Sequence, residues 1–88
     1  MEKARKGMMA WSRAGHDTGQ LYVIVDTEEA YAYLADGKLR TLENPKKKKW
    51  KHIQVKYEIP AQLEKPSWDD IKNEDIKRAI KMMKKECI

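Results

Sequence analysis

The feature that most constrains the fold is an uninterrupted apolar run, Leu21-Tyr22-Val23-Ile24-Val25. Its last three residues are β-branched, and both alternate sets of side chains are apolar. This pattern predicts a central β-strand that is covered on both faces. Because the chain has 88 residues and domains usually run to about 100–150 residues, we expect one small domain built around this strand.

Segments on either side of the apolar run also predict strands. Met8–Ser12 precedes it, and the intervening loop contains Gly15 and Gly19. Glycine favours tight turns because it adopts positive φ without steric cost. Further along, apolar and polar residues alternate over 53–57, which is typical of a half-buried strand.

A β-hairpin is predicted over residues 30–42. The pair Asp36-Gly37 separates two strand-like segments, 30–35 and 38–42. An Asp-Gly pair adopts the positive φ angles of a two-residue type I′ turn at low cost. With these two segments, five short strands lie in the first two thirds of the chain. The fold predicted is therefore mainly β, a small five-stranded barrel.

The last third predicts an α-helix that begins at Asn73 and covers residues 73–88. Asparagine is a favourable N-cap residue, and the helix presents one apolar stripe formed by Ile76, Ala79, Ile80 and Met83. We expect the helix to pack on the barrel by this stripe. The predicted organisation is a basic N-terminal arm over 1–6, a barrel over 7–57, a linker over 58–72 and this helix.

The basic residues are clustered rather than spread along the chain. The net charge is +5, from 19 Lys and Arg against 14 Asp and Glu. Residues 36–56 alone hold eight basic and two acidic residues, including the run Lys46–Lys49 and Lys51. Such a cluster favours an anionic partner, nucleic acid first. Two interpretations are open: a mobile lysine-rich loop that phosphates order, or a solvated loop that keeps the barrel soluble.

Several segments resemble bacterial KOW-domain RNA-binding proteins. Residues 12–19, Ser-Arg-Ala-Gly-His-Asp-Thr-Gly, with the apolar run after them, look like a KOW motif. Residues 35–40, 44–48 and 51–53 are similar to the rest of that domain. The family is in turn similar to KOW-bearing large-subunit ribosomal proteins of archaea and eukaryotes. The resemblance implies an SH3-like barrel that binds RNA, usually in a ribosomal or ribosome-associated setting.

The charge cluster and the resemblance together predict non-enzymatic RNA binding, with ribosomal RNA or the ribosome as the expected partner. Lysine carries charge but little directional geometry, so we expect phosphate and shape recognition with few base contacts. The expected RNA-binding residues are Arg13, Gly15, Lys38, Arg40, Lys46, Lys47, Lys48, Lys49 and Lys51.

Some of these residues have a second interpretation. Arg13 either contacts RNA or pairs with Asp17 at the surface. Gly15 either lets backbone N–H groups approach a phosphate or only permits a turn. Trp50, which lies among the lysines, either stacks on bases or packs against the barrel wall.

The alternative function is a protein-interaction module of the transcription or translation machinery. Small barrels host both uses, so the fold does not choose between them. The partner would dock on the barrel or on the C-terminal helix, whose basic residues Lys77, Arg78 and Lys81 suit either role.

The sequence predicts neither catalysis nor a metal or cofactor site. His16, His52 and Cys87 lack the spacing of zinc ligands, and the chain has no nucleophile elbow and no P-loop. We therefore expect no enzyme activity, no small-molecule substrate and no cofactor. A single cysteine excludes an internal disulfide and fits a reducing compartment. Because no apolar run has the length of a signal peptide or membrane span, we expect a cytoplasmic protein without a membrane partner.

Overall fold

The computed structural model describes residues 3–86 as one antiparallel sheet and one long helix. Its strands are β1 (Met9–Ser12), β2 (Leu21–Thr27), β3 (Tyr31–Ala35), β4 (Lys46–Lys49) and β5 (Ile53–Lys56). The α-helix α1 spans Asn73–Glu86, and short 3₁₀ helices occupy Trp50–His52, Ala61–Leu63 and Trp68–Asp70. The predicted mainly β fold with five strands and a C-terminal helix is confirmed. Cys87 lies outside the described residues.

The sheet is open, with β4 and β5 at its edges. The strand order is β4-β3-β2-β1-β5, and each neighbouring pair is antiparallel. Within residues 3–86 the edge strands do not pair with each other, because the 3₁₀ helix Trp50–His52 connects them instead of a hairpin turn. The sheet is therefore not closed into a barrel.

The apolar run forms the covered strand that its sequence predicts. Residues 21–25 of β2 are all buried, with β1 on one side and β3 on the other. The alternate side chains enter two separate clusters. Leu21, Val23 and Val25 pack with Met9 and the helix, and Tyr22 and Ile24 pack on the opposite face with Met8, Ala10, Ala32, Leu34 and Ile53.

The predicted Asp-Gly hairpin is wrong. A type I′ turn needs positive φ at both central residues, and among the described residues only glycines have positive φ, so Asp36 does not meet this condition. The Asp36 carboxylate instead accepts hydrogen bonds from the backbone N–H groups of Lys38 (2.8 Å) and Arg40 (2.9 Å). This arrangement bends the chain into an irregular loop, and β3 pairs with β4 rather than with residues 38–42.

The helix docks by its apolar stripe as predicted. Ile76, Ala79, Ile80 and Met83 are all buried in the same cluster as Met9, Leu21, Val23 and Val25. Leu63 and Ile71 join this cluster from the segment 58–72, so the predicted linker is part of the packed domain.

Asn73 does not cap the helix, although the helix begins there as predicted. Its side-chain oxygen accepts a hydrogen bond from the Leu42 backbone N–H at 2.8 Å, and its amide donates to Glu43 at 3.0 Å. The Asp75 carboxylate stabilises the helix start by accepting from the Lys72 backbone N–H at 2.9 Å. Asn73 thus ties the loop after β3 to the helix.

No helix in the described part of the chain is long and apolar enough to cross a bilayer.

Candidate nucleic-acid interface

The lysine run is a strand rather than the loop that its composition predicts. Lys46–Lys49 forms β4, and these residues pair in register with residues 34 to 31 of β3. Successive side chains of a strand point to opposite faces. Lys46 and Lys48 therefore share one face, with Lys47 and Lys49 on the other. A paired strand is already ordered, so the expectation of a mobile loop is wrong.

Lys46 and Lys48 both bind one carboxylate, that of Asp17 in the loop between β1 and β2. Their Nζ atoms lie 2.7 Å from Asp17 Oδ2 and Oδ1 respectively. Ser12 Oγ donates to Oδ1 at 2.8 Å and the Tyr22 hydroxyl donates to Oδ2 at 3.2 Å. We call these five residues the Asp17 cluster. It joins the edge strand β4 to the β1–β2 loop.

The Asp17 cluster is nearly enclosed, which decides the role of Lys48. The side chains of Lys48 and Asp17 are 9% and 11% exposed, and Lys48 Nζ also donates to the Ala14 carbonyl oxygen at 2.7 Å. Lys46 is more open, at 29%. A lysine held in this way stabilises the fold, and releasing it to bind a phosphate would leave Asp17 buried with less compensation.

The surroundings of Asp17 hold its carboxylate in the ionised form. Burial acts to raise its pKa, but the hydrogen bonds from Lys46, Lys48 and Ser12 outweigh burial and lower the pKa well below the usual value of 3.8. Burial, and then the neighbouring Asp17 charge, raise the pKa of Tyr22 from 10.0 to about 12. Tyr22 therefore stays protonated as a donor to Asp17.

The remaining cations of this region lie at the surface. Lys47, Lys49, Lys51 and Arg13 are all exposed, and we call these four residues the basic ridge. Lys51 lies in the 3₁₀ helix that follows β4, and the Arg13 backbone N–H donates to the His52 carbonyl oxygen of that helix at 2.8 Å. The ridge thus follows one edge of the sheet and the turn beyond it.

The ridge cations differ in how far they are already engaged. Lys47 Nζ lies 3.9 Å from a Glu28 carboxylate oxygen and 4.3 Å from the centre of the Tyr31 ring. Of the carboxylates that the structure describes, none forms an ion pair with Lys49 or Lys51. Arg13 does not pair with Asp17; its guanidinium lies 3.4 Å from the Gln54 side-chain oxygen. Lys49, Lys51 and Arg13 therefore remain open to an anion.

The aromatic residues near the ridge are anchored in the fold. Trp50 is half-buried against the cluster around Ile24, and its indole N–H donates to the Glu28 carbonyl oxygen at 2.9 Å. This position favours the packing interpretation of Trp50 over a free stacking platform. Tyr31 and Tyr33 are half-buried on the ridge side of β3, and the Tyr33 hydroxyl donates to Glu28.

The glycines of the β1–β2 loop have the positive φ that its turns require. Gly15 and Gly19 have φ of +86° and +89°, a conformation that other residues adopt only with strain. A β-carbon at Gly15 would lie 3.7 Å from both Lys48 Nζ and Asp17 Oδ1. Gly15 thus lies beside the Asp17 cluster and shapes the loop that presents Asp17.

The nine sequence-predicted residues fall into separate locations. Four form the ridge, Lys46 and Lys48 belong to the Asp17 cluster, and Gly15 lies beside it. Lys38 is exposed in the loop after β3, close to α1 rather than to the ridge. Arg40 is half-buried in the same loop, and its charge acts on Tyr22.

Sequence reasoning missed the counter-ion of the lysine run. Asp17 is 29 to 31 residues away from Lys46 and Lys48 in the chain, and nothing local connects them. The only sequence signal is that Asp17 lies between Gly15 and Gly19. The two glycines indicate a tightly turning loop, and that loop carries the Asp17 carboxylate.

Two sequence comparisons with known proteins find no match. No protein-family model matches the chain. No curated protein matches it either. Among residues 3–86, no group of three or more His, Cys, Asp or Glu side chains is placed to hold a metal ion. The basic ridge, with its exposed cations, is the surface on which a functional proposal rests.

Proposed function

We propose that this protein binds structured RNA, with ribosomal RNA as its partner, through phosphate contacts made by the basic ridge. The observation that carries the proposal is the division of the lysine run. One carboxylate holds Lys46 and Lys48, whereas Lys49 and Lys51 are exposed and make no ion pair with the described carboxylates. Unpaired ammonium groups concentrated on one edge release counter-ions from a polyanion, which drives binding.

The Asp17 cluster supports this function by fixing the strand that carries the ridge. Lys46 and Lys48 anchor β4, so Lys47 and Lys49 are presented from an ordered backbone. Binding then avoids the entropy cost of ordering a loop. A fixed row of point charges recognises phosphate positions and helix shape rather than base edges.

The proposal includes an SH3-like barrel of the KOW class. Two features support it: the meandering order β4-β3-β2-β1-β5 and the 3₁₀ helix that connects the two edge strands. The Trp50 backbone N–H donates to the Ala30 carbonyl oxygen at one end of this connection, and the Arg13 backbone N–H donates to the His52 carbonyl oxygen at the other. In the proposed barrel, these two hydrogen bonds hold the connection between the edge strands in place. The proposed protein is a cytoplasmic, non-enzymatic RNA binder.

Lysines on an edge strand have a second effect, since they discourage pairing with another chain. Preventing strand pairing needs only a few charges. If this were the only role of the lysines, the affinity for RNA would be low. A binding measurement therefore separates it from the proposed function.

The test is a titration of the protein with a structured ribosomal RNA fragment at several salt concentrations. If the four ridge cations contact phosphates, log K falls with log salt with a slope of about −3 to −4. Binding that disappears in 0.5 M salt or after nuclease treatment supports RNA contact. An absence of binding at about 50 mM salt contradicts it. In a separate pulldown from cells, a protein complex that persists in high salt favours a protein-interaction module.

A further inference from the structure

A second basic surface lies between α1 and the loop that follows β3. It is a groove of about 490 Å³, within the range of small-ligand sites, and it includes none of the ridge residues. Its lining residues are Gln20, Leu21, Asp36, Lys38, Lys77, Ile80, Lys81 and Lys84. Four of these residues are lysines and one is acidic, so the groove has a net positive charge.

The helix contributes three of the four lysines because of their spacing. Lys77, Lys81 and Lys84 follow the i, i+4, i+7 pattern, which places them on one face over about 10 Å of helix. Lys38 faces them from the loop. Within the described chain, Lys38, Lys81 and Lys84 pair with no carboxylate, and Lys77 lies 3.7 Å from the exposed Glu74.

The other lining residues hold the loop in place and form the floor of the groove. The Asp36 carboxylate is engaged by two backbone N–H groups and fixes the loop that carries Lys38. Leu21 and Ile80 are only 2% and 8% exposed and form an apolar floor. A cleft with charges of one sign and low-dielectric walls attracts counter-charge more strongly than a flat surface does.

We propose that this groove is a second phosphate-binding site that takes another backbone segment of the same RNA. This inference rests on the proposed function and deepens it, since it specifies what kind of RNA is recognised. The protein extends only about 30 Å in each direction, so one RNA molecule can contact both surfaces. A folded RNA presents two backbone segments at once, and the second contact then forms at high effective concentration.

The anion site itself is tested with inorganic pyrophosphate and ¹⁵N-labelled protein at low salt. We expect shifts of the backbone amide signals of Leu21, Lys38 and Lys81, and their loss in the Lys81→Gln/Lys84→Gln variant. The matched control is Lys72→Gln/Arg78→Gln, which removes two exposed charges at and before the helix but outside the groove lining. The pyrophosphate-induced amide shifts of this control variant should equal those of the natural protein. Shifts that are absent, or that survive in the groove variant, overturn the site.

The RNA contact is tested with the same two variants and a hairpin RNA. The groove variant should bind the RNA roughly 30-fold more weakly at 0.15 M salt, because two phosphate contacts are removed. For the same reason, its slope of log K against log salt should be shallower by about 2. The control variant should lose less than threefold. Equal binding by the two variants overturns the inference while leaving the ridge proposal standing. Pyrophosphate binding by a protein that binds no RNA overturns both the proposed function and the RNA assignment of the groove.

Discussion

The Lys49→Gln/Lys51→Gln variant is expected to bind structured RNA roughly 30-fold more weakly than the natural protein at 0.15 M salt. Each lysine that contacts a phosphate contributes about 0.9 to the salt slope, equivalent to about a fivefold gain at this salt concentration. The slope should therefore become shallower by about 2. Fluorescence anisotropy with a labelled hairpin RNA measures both quantities.

This loss should occur without a loss of stability. Lys49 and Lys51 are exposed and form no ion pair with the described carboxylates, so their replacement should change the free energy of unfolding by less than about 0.5 kcal/mol. The Lys72→Gln/Arg78→Gln variant removes the same charge elsewhere and controls for net charge. If both variants lose affinity equally, the contact is a general charge effect and the ridge has no special role.

The Asp17→Asn substitution, in contrast, should strongly lower the free energy of unfolding. Breaking a buried ion pair leaves an uncompensated charge, which costs about 3 kcal/mol. Here the cost falls on Lys48, whose side chain is 9% exposed, and in part on Lys46. Urea unfolding at pH 7 measures the change. The exposed Glu64→Gln variant is the matched control and should remain within about 0.5 kcal/mol of the natural protein.

The effect of Asp17→Asn should also depend on pH. The pKa of Asp17 is lowered in the folded protein from its usual 3.8, so ionised Asp17 contributes stability above pH 3.8 that is lost progressively as the pH falls further. The difference between natural protein and variant should therefore be full at pH 7 and shrink below about pH 4. A difference that is small at pH 7, or constant down to pH 2, contradicts the structural role of Asp17.

A double-mutant cycle with Lys48→Met separates this ion pair from general destabilisation. Asp17→Asn leaves Lys48 without its carboxylate, and Lys48→Met leaves Asp17 with Lys46 alone, whereas Asp17→Asn/Lys48→Met removes both buried charges. Because a buried pair can be replaced by neutral residues at little cost, the double variant should be more stable than the sum of the single effects implies. Additive effects would show that the two residues do not act together.

Elements set by local pattern could be predicted from the sequence. The run Leu21–Val25 is apolar on both alternate faces and is buried on both. The helix stripe that includes Ile76 and Met83 follows the helical period and docks as expected. In both cases the information lies within a few neighbouring residues, so no distant contact is needed to find it.

Elements set by distant contacts could not be predicted. The hairpin predicted at Asp36-Gly37 does not form because Asn73 holds the loop to the helix through the Leu42 backbone N–H. These two residues are 31 positions apart in the chain. A β-carbon at Gly37 would also lie 2.6 Å from the Asn73 carbonyl oxygen, so the loop passes directly against the helix start. The turn preference of an Asp-Gly pair depends on neighbouring residues only, so it cannot predict these contacts.

The basic cluster was predictable, but its division between two roles was not. Lysine is depleted in strands, and neighbouring like charges repel each other, so Lys46–Lys49 has the composition of a loop. A run of identical residues also hides the period-2 alternation that reveals a strand. Asp17 neutralises alternate members of the run, which favours the strand and separates Lys46 and Lys48 from the ridge.

The central claim, that alternate lysines of one strand have different roles, is tested most directly by the reactivity of each lysine toward an acetylating reagent. Mass spectrometry reads the modification in the free protein and in its RNA complex. In the free protein, Lys48 should react slowest, and Lys49 and Lys51 should react as fast as the exposed Lys72. RNA should protect Lys49 and Lys51 severalfold and leave Lys72 unchanged. Equal reactivity along the run, or no protection of Lys49 and Lys51 by RNA, would contradict the claim.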